Sequence, residues 1–169
     1  MKYKNEEDKC FGIAGMAIGI SIWHGEDKLY RIDIDDSEGK YIALFPDETA
    51  VGELLHPKDA WNNSLKEFQM TVGMLIANMM SRSIGKKQLE YSRAKKALYK
   101  TVAEEGKRSW QLEEDEVRRL FDETYVYLDR VFENESVHEI ARRFAKKLQE
   151  SRTLSNYEIK DLLGMIEDF

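Results

Sequence analysis

The chain has little cysteine, proline or histidine and no long apolar run. Its single cysteine, Cys10, excludes an intramolecular disulfide, and no Cys/His grouping has zinc-ligand spacing. Cys10 reads as a small apolar residue at a strand start rather than as a reactive thiol. The two prolines, Pro46 and Pro57, lie close together, and the 112 residues that follow Pro57 contain none, which favours long helices. The stretch Phe11 to Trp23 has 13 residues without a charge, too few for a membrane-spanning helix of about 20. Before it, Lys2, Lys4 and Lys9 are balanced by Glu6, Glu7 and Asp8, and no small-x-small cleavage site follows, so a signal peptide is not expected and a cytoplasmic protein is.

Motifs that carry chemistry are missing too. Gly12, Gly15 and Gly19 do not fit the dinucleotide fingerprint G-x-G-x-x-G. His138-Glu139 lacks the second histidine of the H-E-x-x-H zinc motif, and the other histidines, His24 and His56, sit before or within turns. No serine lies in a G-x-S-x-G elbow. No catalytic, cofactor-binding or metal-ligating residue is therefore expected, and a binding protein is a better reading than an enzyme. The acidic stretch Asp33, Asp35, Asp36 and Glu38 has oxygen ligands suited to calcium or magnesium, but it lacks the twelve-residue calcium pattern and its residues equally suit a tight turn.

What is present supports a packed core. With 169 residues, 42% of them hydrophobic and 11% aromatic, the chain suits one domain able to bury about 70% of its unfolded surface. The most apolar segment, Met70 to Met80, contains no charge, and Leu65, Phe68, Val72, Leu75, Ile76 and Met79 recur at helical spacing. A helix this apolar must be covered on more than one side. The expectation is a central helix from Asp59 to about Ile84, entered through Pro57 and stopped or kinked at Gly85. Met70, Met74, Met79 and Met80 read as its packing residues rather than as an adaptable groove.

Ahead of it, bulky Met16, Ile18, Ile20 and Ile22 alternate with small Gly15, Ala17, Gly19 and Ser21. That alternation reads as a strand from Cys10 to Trp23 whose small face admits another backbone, with residues 1–9 frayed. Strands from Lys28 to Asp35 and from Lys40 to Phe45 follow, Tyr30, Ile32 and Ile34 sharing one face of the first. Three helices are expected after Leu112. One runs to Glu133 and buries Val117, Leu120, Phe121, Thr124, Leu128, Val131 and Phe132. Another starts at a Ser136/Glu139 capping box and buries Val137, Ile140, Phe144 and Leu148. The last starts at a Ser155/Glu158 capping box and buries Ile159, Leu162, Leu163 and Ile166. The fold read from the sequence is a single α+β domain. An N-terminal three-stranded antiparallel meander (about 10–46) packs on a long central helix, and the helical part (about 57–168) continues through three to four helices.

The net charge of −6 hides a pattern. Residues 1–56 hold six basic and twelve acidic side chains, residues 57–110 eleven and five, and residues 111–169 nine and fifteen. Within the basic middle a helix ending at Glu104-Glu105-Gly106 places Arg82, Lys86, Arg93, Lys96 and Lys100 in one arc with Leu89, while Ile84, Tyr91, Ala94, Leu98 and Val102 face the other way. Such a face suits pairing with the protein's own acidic ends, an acidic protein partner, or nucleic-acid phosphates without base readout. The pI near 5.2 weighs against a dedicated nucleic-acid binder. The expected function is non-enzymatic interaction: self-association, and binding of an acidic protein partner through Arg82, Lys86, Leu89, Arg93, Lys96 and Lys100. The alternative is a nucleic-acid-associated regulator using the same face. No cofactor or membrane partner is expected. A homodimer is suggested by Trp61, Tyr91, Tyr99, Trp110, Tyr125 and Tyr127, aromatics near expected helix surfaces.

Overall fold

The computed structural model describes residues 2–45, 57–84 and 89–164. Six α-helices dominate them: α1 (Glu6–Ile22), α2 (Pro57–Ser81), α3 (Leu89–Trp110), α4 (Glu114–Phe132), α5 (Glu135–Ser151) and α6 (Asn156–Leu163). A small antiparallel sheet is built from β1 (Leu29–Asp33), β2 (Ile42–Leu44) and β3 (Thr153–Ser155), in the order β2-β1-β3.

The first correction concerns residues 10–23, which form most of α1 and not a strand. Two local signals start this helix. Asn5 accepts the Asp8 N–H on its side chain at 2.8 Å, and Glu6, Glu7 and Asp8 lie in the first turn, where the positive helix end favours carboxylates. Residues 5–9 are thus capped helix, not a frayed end. The helix stops with His24 in the left-handed region (φ 54), where the N–H groups of His24 and Gly25 reach back to the carbonyls of Ser21 and Ile20. Gly12, Gly15 and Gly19, spaced three and four apart, fall on one helical face. A Cβ on Gly15 would overlap the Ala77 carbonyl oxygen and stand 2.6 Å from the Ser81 Cβ; one on Gly19 would stand 2.9 Å from the Gly73 carbonyl oxygen. The small face does admit another backbone, and that backbone is α2.

The sheet is consequently not an N-terminal meander, because its third strand comes from the far end of the chain. β3 pairs with β1 (Ile32 opposite Leu154), and Arg152, left-handed at φ 64, turns the chain from α5 into β3. Its guanidinium binds Asp35 at 2.9 Å and Glu6 at 2.8 Å, joining the sheet to α1. Nor is the sheet's main cover α2; β1 and β3 lie against α6, and β3 also against α5. A bulge between Leu29 and Arg31 in the β1–β2 ladder breaks the expected face, so that Leu29, Ile32 and Ile34 are buried while Tyr30 faces out against Phe45.

α2 is central among the helices, packing against α1, α3 and α4. It buries Phe68, Val72, Ile76, Ala77, Met79 and Met80, whereas Leu65 lies at the surface. It ends at Ser81 in tight turns that carry the chain to Ile84; Gly85, and with it the question of a helix running through that residue, lies outside the described residues. α3 does not end at Gly106 but continues to Trp110. Gly106 is there for contact, since a Cβ would stand 2.7 Å from Val117 and 3.0 Å from the Phe68 ring. Left-handed Gln111 (φ 54) then ends the helix, and the Leu112 N–H reaches the Gly106 carbonyl.

Of the stripe expected on α4, Val117, Phe121, Thr124, Leu128 and Phe132 are buried and Leu120 and Val131 half-buried, with Tyr125 added to the buried face. α5 is capped two residues earlier than expected, by Asn134, which accepts the Ser136 N–H at 3.0 Å; the Ser136/Glu139 box is not its start. α6 has its Ser155/Glu158 box, the Ser155 N–H donating to Glu158 Oε2 at 3.0 Å, and buries Ile159 and Leu163; Ile166 lies outside the described residues. One continuous hydrophobic cluster includes residues from all six helices, β1 and β3. No described helix is long and apolar enough to cross a membrane.

Candidate functional site

The basic residues separate into distinct environments. Arg82, just beyond α2, is engaged inside the chain. Its Nε and Nη2 donate to buried Asp8 at 3.1 and 2.6 Å, Nη2 also reaches the Lys2 carbonyl, and the guanidinium lies 4.9 Å from the Tyr3 ring centroid. Lys86 lies outside the described residues. Leu89 opens α3.

Arg93, Lys96 and Lys100 are exposed on α3, and with Lys107 they line one side of a groove between α3 and the start of α4. These positions step three, four and seven residues along the helix and so share a face over about 21 Å. Lys107 extends the stripe expected from sequence. No ion pair holds Arg93, Lys96 or Lys107 among the described residues, and Lys100 has only a 4.0 Å contact with Glu104. The groove encloses about 1030 Å³. Its apolar lining includes Ala97, Ala103, Leu112 and Val117, and Glu113 and Glu114 bring negative charge at the α4 end. α4 begins there for a local reason: the Glu113 N–H donates to Glu116 Oε2 at 2.9 Å, and carboxylates gather in the first turn.

Leu112 also lines a narrow, mainly apolar cleft with Trp61, Leu65 and Phe68 of α2 and Trp110 of α3. Trp61 is 47% exposed, and the Trp110 ring lies 5.7 Å from that of Phe68. On the other side of α3, Lys95 lies 3.5 Å over the Tyr125 ring, and Arg118 contacts both the Tyr99 ring and Glu114.

The aromatic surface suggested by sequence is smaller than expected. Of the six aromatics, Trp61 and Tyr127 are exposed, Tyr99 and Trp110 are half-buried, Tyr125 is buried, and the side chain of Tyr91 lies outside the described residues.

The other candidates have structural partners. Asp33 pairs with Arg31 at 2.9 Å and accepts the Asp35 N–H, and Asp36 accepts the N–H groups of Glu38 and Lys40. The Arg152 guanidinium bound to Asp35 lowers that carboxyl below its ordinary pKa. No group of three or more His, Cys, Asp or Glu among the described residues has the arrangement of a metal site. His138 Nε2 lies 2.6 Å from the Phe132 carbonyl, tying α5 to the end of α4; His56 lies outside the described residues. Cys10 is fully buried on α1, and burial pushes its thiol up to about 11. No family model, curated protein or solved structure matches the chain.

Proposed function

We propose that this chain is a non-enzymatic interaction protein that binds an acidic segment of a partner protein along the groove between α3 and α4. The observation that carries the reading is the meeting of exposed cations with apolar surface. Arg93, Lys96, Lys100 and Lys107 line the groove beside Ala97, Ala103 and Leu112. Cations so arranged speed encounter and select sign, while the apolar lining supplies area to bury.

Phosphates of nucleic acid would meet the same cations, but Glu113 and Glu114 across the groove repel a polyanion. A peptide carries its carboxylates on one edge and presents another edge to those glutamates. Binding of a fluorescein-labelled acidic helical peptide is measured by anisotropy at about 50 and 200 mM salt, beside a mixed-sequence oligonucleotide. The expected result is peptide binding that weakens with salt and is lost in a Lys96→Glu, Lys100→Glu variant. Tighter binding of the oligonucleotide, lost in the same variant, would replace this reading with a nucleic-acid one.

Self-association is a second part of the proposal, supported by exposed Trp61 and Tyr127. Light scattering at tens of micromolar tests it, and a monomer at that concentration removes it.

A further inference from the structure

The groove and the Trp61 cleft both border Leu112, with the cations along α3 on one side and the apolar residues near Trp110 on the other. We infer that the occupant is an amphipathic helix of about five turns. It lays one bulky apolar side chain over the exposed faces of Trp61 and Leu65, beside Trp110, and sets carboxylates along Arg93, Lys96, Lys100 and Lys107. This rests on the reading of the groove as a site for an acidic protein segment.

Three observations define the occupant. The cations from Arg93 to Lys107 cover about 21 Å, the length of a helix of about 14 residues, and one more turn reaches the cleft. Their steps along α3 are unequal, about 4.5, 6 and 10.5 Å. Carboxylates three, four and seven residues apart on a helix alongside reproduce those steps. A strand, whose same-face side chains recur every 6.6 Å or so, does not. Finally, Trp61 and Leu65 lie one turn apart on α2, 47% and 36% exposed, beside half-buried Trp110. Large apolar groups clustered at the edge of a charged groove have the composition of an interface anchor.

The test uses two 18-residue alanine-based peptides, each with glutamates at positions i, i+3 and i+7 of one face. A fourth glutamate at i+14 faces Lys107, and one peptide carries phenylalanine at i+17, a turn beyond it and level with Trp110, the other alanine. Each is titrated against the native chain and against Trp61→Ala, a substitution at an exposed position, with circular dichroism to check that the variant is folded. The phenylalanine peptide is expected to bind ~10-fold tighter or more, and Trp61→Ala to abolish that preference while leaving affinity for the alanine peptide unchanged. Equal, salt-sensitive binding of both peptides overturns the apolar anchor and leaves the acidic-partner reading intact. No binding of either at about 50 mM salt overturns both. A native dimer that becomes a monomer in Trp61→Ala assigns the cleft to a second copy of this chain and overturns the inference.

Discussion

Two glycines of α1 predict different responses to the same substitution. Replacing Gly15 by alanine puts a methyl group into the Ala77 carbonyl oxygen and 2.6 Å from the Ser81 Cβ. The first neighbour is backbone of α2, so relief requires α1 and α2 to separate along their contact. Overpacking of this kind costs about 1–3 kcal/mol or more. Alanine returns about 1 kcal/mol through its better helix propensity. With a backbone opposing the methyl, the upper end of the range applies, and the net loss is about 2 kcal/mol. For a chain of this length that lowers Tm by roughly 4–8 °C. At Gly12 the same methyl would meet the Tyr3 ring edge at 2.7 Å, Asn78 Nδ2 at 2.8 Å and Arg82 Cδ at 3.0 Å. All are side-chain atoms, and two belong to residues outside the core, so Gly12→Ala should cost about 1 kcal/mol or less once propensity is counted. Thermal and urea unfolding of both variants measure the difference. Equal stabilities, or a Gly15→Ala protein more stable than its parent, would refute the close approach of α1 and α2.

Further outcomes follow from other contacts. Asp8→Ala strands Arg82, whose side chain is 21% exposed, and should destabilise by about 2–4 kcal/mol in urea unfolding, more than Asp8→Asn, which keeps an acceptor. Ser155→Ala removes the cap of α6 and should cost about 1 kcal/mol, read as a lower midpoint at unchanged denaturant slope. The pH dependence comes from Asp35, Glu105, Glu135 and Glu158, held below their ordinary values by Arg152, by the Ser109 hydroxyl, by Arg142, and by the Ser155 backbone N–H and side chain respectively. A depressed carboxylate contributes stability above its unfolded value and loses it as pH falls through the folded one, so stability should decline below about pH 4. Asp35→Asn should flatten that decline, and an unchanged slope would count against the Arg152 contact. Cys10, buried and with its thiol raised to about 11, should resist a disulfide reagent at pH 8 until the chain is unfolded.

Much of the second half of the chain was legible from residue spacing. The buried stripes of α4 and α5 and the cap of α6 are local patterns, each readable within a few turns. The stripe of Arg93, Lys96 and Lys100 was legible for the same reason, since side chains three and four apart share a helix face. α1 was not, because bulky and small residues alternating from Gly15 to Ile22 imitate a strand period. A signal for the helix was nevertheless available: Asn5 before three acidic residues, and glycines three and four apart. That signal is local to one helix end, whereas the alternation runs over eight residues and fits a strand equally well. The Trp61 cleft was missed because its parts come from α2, the end of α3 and Leu112.

Amphipathic period, capping residues and charge distribution along each helix were thus determined by the sequence itself, because they depend on neighbours within one or two turns. Tertiary structure decided whether the glycine face became strand or helix, by setting Gly73, Ala77 and Ser81 of α2 against it. It decided that the third strand is Thr153–Ser155 and that Arg82 is held by Asp8 while Arg93 and Lys96 line an open groove. These outcomes depend on which distant surfaces meet, and pairing energies between distant segments leave no periodic trace in either one.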